Sequence, residues 1–121
     1  MTRSGRSAAL ALAMSVAAAV PAAVAMTPNS INASPNPVHR GKLVRVFGTV
    51  QGCAGAVTLI SRAFVHTHDF AGVPAAFATL HNGSYSVRVR VPARRRTGTY
   101  TITGRCGGGN IGVTRRLRVV R

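Results

Sequence analysis

From Ser84 to Pro92 the chain alternates one by one: Tyr85, Val87, Val89 and Val91 fall in one phase, Ser86, Arg88 and Arg90 in the other. Successive side chains of an extended strand point to opposite faces, so this period of two predicts a strand with one buried and one wet face. The same rhythm runs from Thr99 to Gly104, where Tyr100, Ile102 and Gly104 alternate with threonines, and near the C-terminus, where Val113, Leu117 and Val119 set an inner face and Arg116 and Arg118 point outward. Leu43 to Val50 reads as a strand with Val44 and Val46 inward and Arg45 outward. Ala56 to Phe64 is predicted as a strand with Val57, Leu59 and Ser61 on one face, and Ala75 to Leu80 as a short one. An edge strand is expected around Ile31 to Ser34, because Pro28, Pro35 and Pro37 bracket it and proline cannot serve a central ladder. Between these runs lie a turn at His39-Arg40-Gly41, a loop or irregular edge from Val65 to Pro74 and a connection at Gly107-Gly108-Gly109-Asn110. His81-Asn82-Gly83-Ser84 is the clearest turn, since Asn-Gly readily takes the positive φ of a tight hairpin. No stretch beyond residue 25 holds a helical period for three turns. The expectation is an all-β, two-sheet Greek-key sandwich of seven strands.

The first 25 residues follow another logic. Arg3 and Arg6 precede an Ala-rich apolar run from Ala8 to Val20, Pro21 breaks it, and Ala23-Val24-Ala25 forms a small-x-small cleavage signal. A retained anchor needs roughly 20 strongly apolar residues, which this run lacks. The reading is a signal peptide over residues 1–25, cut after Ala25, with a single domain at 26–121, no transmembrane segment after cleavage, and a secreted or cell-envelope location. In an exported chain the two cysteines, Cys53 and Cys106, pair most simply with each other. In the chain-entropy model a bridge of that span stabilises the fold by about 4 kcal/mol, a useful contribution to a domain with a limited core.

The run Asn36-Pro37-Val38-His39-Arg40-Gly41-Lys42-Leu43-Val44-Arg45-Val46-Phe47-Gly48, followed by Gly98-Thr99-Tyr100-Thr101-Ile102-Thr103-Gly104-Arg105-Cys106, resembles the B and F strands of immunoglobulin-like β-sandwich modules in small secreted bacterial proteins of actinobacterial type. The resemblance covers about residues 30–121 and implies an immunoglobulin-like fold without implying an activity. Antibody domains place a cysteine two residues after the corner tyrosine, whereas Cys106 stands six after Tyr100, and the chain has no tryptophan. The bridge is therefore expected near the loops at the ends of the strands.

Charge changes the picture most. The chain has sixteen Lys and Arg against a single acidic residue, for a formal net charge of +15. Cleavage would remove Arg3 and Arg6 and leave fourteen basic side chains facing Asp69 alone. Such one-sided charge opposes compaction and favours anionic partners. If the strands beginning at Leu43 and Tyr85 are neighbours, Arg45 lies near Arg88 and Arg90, with Arg94, Arg95 and Arg96 on the following loop. These six residues are the candidate polyanion site, for a teichoic acid, extracellular nucleic acid or an acidic lipid surface. A solvated basic surface with no dedicated ligand is the competing interpretation. Aromatic residues are too few for a base-stacking platform, and no sequence-specific DNA- or RNA-binding signature occurs.

His66 and His68 share a face of an extended segment and form a second candidate, a metal pair with Asp69, His81 or His39 as a third ligand. That loop, His66 to Val73, supports the alternative of a small-ligand or metal carrier; a third alternative is a structural or adhesive envelope module whose edge strand, near residues 30–34, pairs with a partner. No cofactor is expected. Enzyme chemistry is not expected either: glycosidases commonly use two carboxylates and this chain has one, and Ser61, His66 or His68, and Asp69 lack a nucleophile elbow.

Overall fold

A computed structural model describes residues 27–121, and within them the chain is all-β. The expected signal peptide lies outside the described residues. Nine strands form rather than seven: β1 (Asn32–Ser34), β2 (Val38–His39), β3 (Leu43–Thr49), β4 (Ala56–Ile60), β5 (His68–Phe70), β6 (Val73–Thr79), β7 (Ser84–Arg90), β8 (Gly98–Cys106) and β9 (Gly109–Val120). They make a three-stranded sheet in the order β1-β3-β7 and a six-stranded sheet in the order β2-β9-β8-β4-β6-β5. All pairings are antiparallel except β2 with β9, where Val38 lies opposite Val119.

The inner faces are those set by the period of two. Val44 and Val46 from β3 and Tyr85 and Val89 from β7 meet Val57 and Leu59 from β4, Ile102 from β8, and Leu117 and Val119 from β9, all buried. Each such side chain contributes roughly 1.5–3 kcal/mol by leaving water. Small residues fill the β6 side, where Ala76 and Ala78 are buried while Phe77 between them is 51 % exposed.

Two expectations are corrected and one is made specific. The strand expected to run from Ala56 to Phe64 ends at Ile60; the chain turns, with Phe64 N–H donating to Ser61 O at 3.2 Å, and drops the Phe64 ring fully into the core. The buried Ser61 hydroxyl accepts the Ala63 N–H, so the turn satisfies it. The stretch from Val65 to Pro74, expected as a loop or irregular edge, contains the short edge strand β5, which pairs with β6 through His68–Ala75 and Phe70–Val73. Lastly, the Asn82-Gly83 turn is tight, with φ of 52° and 80° and reciprocal backbone hydrogen bonds between His81 and Ser84, but it does not join neighbours in one sheet. It carries the chain from β6 in the larger sheet to β7 in the smaller one.

Gly48 shows how the N-terminal segment docks. A Cβ there would stand 2.1 Å from Ser30 O. The absent side chain lets that carbonyl approach β3 and accept the buried Tyr85 hydroxyl at 2.7 Å. Burial pushes the Tyr85 phenol up to about 12. Cys53 and Cys106 form a disulfide, joining the segment before β4 to the end of β8. Among the described residues no helix is long and apolar enough to cross a membrane.

Candidate functional site on the β6–β7 flank

Arg45 and Arg88 are direct cross-strand partners on β3 and β7, and Leu43 is opposite Arg90. Hydrogen bonds from Val50 N–H to Gly83 O and from Val91 N–H to Lys42 O fix the phase of this ladder. Residues 85, 87 and 89 exchange backbone bonds with β3, so Arg45 and Arg88 form one of the non-hydrogen-bonded pairs, in which side chains stand closest. Two like charges placed this way cost tenths of a kcal/mol unless something separates or answers them.

The structure separates them. The Arg45 guanidinium lies 3.9 Å from the Phe47 ring centroid, and its Nε donates to Ser86 Oγ at 2.8 Å. Arg90 turns the other way, with Nη1 donating to Gly41 O at 2.7 Å. Arg88 lies between them, exposed and without a side-chain partner among the described residues. Two guanidinium groups are thus pinned on either side of a third that is free, which fixes positive charge in place before any ligand arrives.

This cluster faces a seam between β7 and the β5–β6 edge of the other sheet. One part is a groove of about 220 Å³ lined by His68, Ala76, Phe77, Val87, Arg88 and Arg90. Phe77 also lines a neighbouring hollow with Arg45, His81, Ser84 and Ser86. The His68 ring rests against Phe77 at 4.9 Å between centroids, so the wall opposite the arginines is aromatic. Phe77 and Ser86 were not singled out in the sequence. The available signal for Phe77 was its phase, opposite to the small residues Ala76 and Ala78.

The β7–β8 loop divides its three arginines. Arg95 folds back, with Nη2 donating to Phe64 O at 2.9 Å while its buried Nε has no partner among the described residues. Arg94 and Arg96 are exposed, and the Arg96 carbonyl accepts the Tyr100 hydroxyl. Arg95 therefore holds the loop against the Ser61–Phe64 turn rather than extending the basic face.

His66 and His68 are engaged separately. His66 Nε2 meets Asp69 Oδ1 at 2.7 Å, and Asp69 Oδ2 accepts the Gly72 N–H at 2.9 Å. The His66 bond, then the Gly72 amide, hold the Asp69 carboxyl below its ordinary value. Among the described residues no group of three His, Cys, Asp or Glu is placed to hold a metal ion. The chain's single carboxylate side chain is thus occupied in shaping the β5–β6 hairpin, and among the described residues no arginine forms an ion pair with it.

Arg115 also went unnoticed. It falls in the inward phase of β9 with Val113, Leu117 and Val119 yet is exposed, and its guanidinium still takes polar partners. It does so at the opposite flank, where Nε donates to Ile31 O at 2.9 Å and Nη2 to Asn32 Oδ1 at 3.2 Å. No family model matches the chain, and no curated protein matches it at a significant level.

Proposed function

We propose that the chain is an exported, non-catalytic binding module of immunoglobulin-like type that takes polyanions at or beyond the cell envelope, with Arg45, Arg88 and Arg90 on the β6–β7 flank as its site. The observation that carries this reading is the free Arg88 held between two pinned arginines, in a chain whose one acidic side chain is engaged elsewhere. Folding brings like charges together here without an internal counter-charge, and a bound anion supplies one. Export is favoured by the charged, apolar and small-x-small order of residues 1–25 and by the disulfide. The immunoglobulin-like assignment is favoured by the strand order of the two sheets and by the Tyr100 hydroxyl bonding four residues upstream at the corner into β8.

The test is binding of the oxidised protein to teichoic acid, duplex DNA, inorganic polyphosphate and a neutral glycan across a salt series. The expected result is saturable binding to a polyanion that persists at physiological salt and weakens about tenfold when Arg88 becomes serine. Equal binding to every anion, vanishing steeply with salt as counterion release dictates and insensitive to Arg88→Ser, overturns the proposal.

A further inference from the structure

We infer that the partner of this flank is an extended polypeptide bearing alternating acidic residues, which adds to β7 as an extra strand. This rests on the basic cluster being a binding site, and it deepens that reading by naming the class of anion. β7 is the last strand of its sheet. Its odd-numbered residues direct their backbone groups to β3, so those of Ser84, Ser86, Arg88 and Arg90 point the other way, over the seam.

Both ends of this edge are closed. Ser84 exchanges hydrogen bonds with His81 at 2.8 and 3.0 Å, and the Arg90 carbonyl accepts the Val65 N–H at 2.9 Å. Between these stops the N–H groups of Ser86, Arg88 and Arg90 and the carbonyls of Ser86 and Arg88 have no backbone partner among the described residues. That is the length of edge a short extended segment needs. Main-chain bonds would supply affinity and alternate side chains specificity.

The same residues decide what the segment must carry. Directly opposed side chains in a ladder share a face, so the residues of an added strand opposite Arg88 and Arg90 would stand beside their guanidinium groups. Carboxylates there are favoured and cations disfavoured. The alternate residues would turn toward Val87, Ala76 and Phe77, where apolar side chains fit. Acidic and apolar residues in alternation is therefore the complementary pattern. A second copy of this chain is disfavoured, because edge-to-edge pairing would set Arg88 and Arg90 against their own kind, the usual defence of an exposed edge.

A short capped peptide alternating Glu with Val is the probe, with two relatives N-methylated at every second amide, one in each phase. All three carry the same charge, but only one phase of amides can face β7. Expected is binding of the parent peptide, loss of at least tenfold on methylation in one phase, and little change in the other. Inorganic polyphosphate, which has no amides, is measured alongside and reads the basic cluster without any backbone pairing. Equal affinity for all three peptides means charge alone and overturns the strand-addition inference. Polyphosphate binding without peptide binding also overturns it while leaving the basic site standing. Failure of every anion to bind overturns both.

Discussion

The two flanks of the sandwich are closed by different means. On the β1–β9 flank the N-terminal segment is laced to both sheets. Asn29 and Asn36 side chains donate to the Ile111 and Arg116 carbonyls, the Arg118 amide donates to Asn36, and Arg115 reaches back to Ile31 and Asn32. On the β6–β7 flank the chain crosses between sheets at the His81–Ser84 turn, Val65 and Arg95 secure the far end, and the middle of the β7 edge is unpaired among the described residues. Both flanks carry arginine. One uses it to satisfy backbone carbonyls, and the other presents Arg88 to solvent. In a chain this basic, the number of cations says little about function; which of them already have partners says more.

This contrast can be attacked from the laced side first. Gly48→Ala drives a methyl group into the Ser30 carbonyl and disturbs the Tyr85 bond beyond it. The expected cost is about 3 kcal/mol, from overpacking and a lost hydrogen bond, read as a lowered denaturant midpoint. Tyr85 gives a related prediction. Its folded value of about 12 stands above the ordinary 10.0, so its contribution is fully present below pH 10 and is lost as pH rises toward 12, up to about 3 kcal/mol. Unfolding midpoints measured through that window should fall for the parent protein, and the fall should be smaller in Tyr85→Phe. Arg115→Ala should cost about 1–2 kcal/mol, because a guanidinium bonded to two acceptors is removed, with anion affinity changing no more than at any other surface arginine.

The open side should behave in reverse. Arg88→Ser is expected to leave stability within about 0.5 kcal/mol, or raise it slightly by removing like-charge repulsion with Arg45, while anion affinity falls about tenfold. The smallest effect concerns the β5–β6 hairpin. The depressed Asp69 carboxyl contributes above its ordinary value near 3.8, and that contribution is lost as pH falls through the lower folded value. A lower protection factor of the Gly72 amide in acid, after correction for its intrinsic exchange rate, checks this.

Much of the framework could be read from alternation. The strands around Val44, Val87, Ile102 and Leu117 each have one apolar phase, and a half-buried strand leaves that mark in sequence. The placement of β6 could not be read, because Asn82-Gly83 dictates a local reversal and is silent on whether the strands it joins share a sheet. β2 is illegible for a related reason, since it exists only through parallel pairing with β9, far away in sequence, and β5 is legible only as a loop or irregular edge, because three residues around an Ala71-Gly72 turn leave no alternation to read. At the candidate site, the juxtaposition of Arg45 with Arg88 followed from pairing two legible strands. The seam did not, since Phe77 lies on the strand whose sheet was unpredictable. Arg95 was grouped with its exposed neighbours because adjacency in sequence does not reveal which of three loop arginines turns inward.

The most direct measurement compares two charge-matched variants for the same polyanion at physiological salt: Arg45→Ser with Arg88→Ser on the open flank, and Arg116→Ser with Arg118→Ser on the outer face of β9. Each removes two positive charges. If the β6–β7 flank is the site, affinity falls at least tenfold in the first variant and no more than about threefold in the second. Equal losses in both would mean that the protein attracts anions by net charge alone and that the flank has no special part in it.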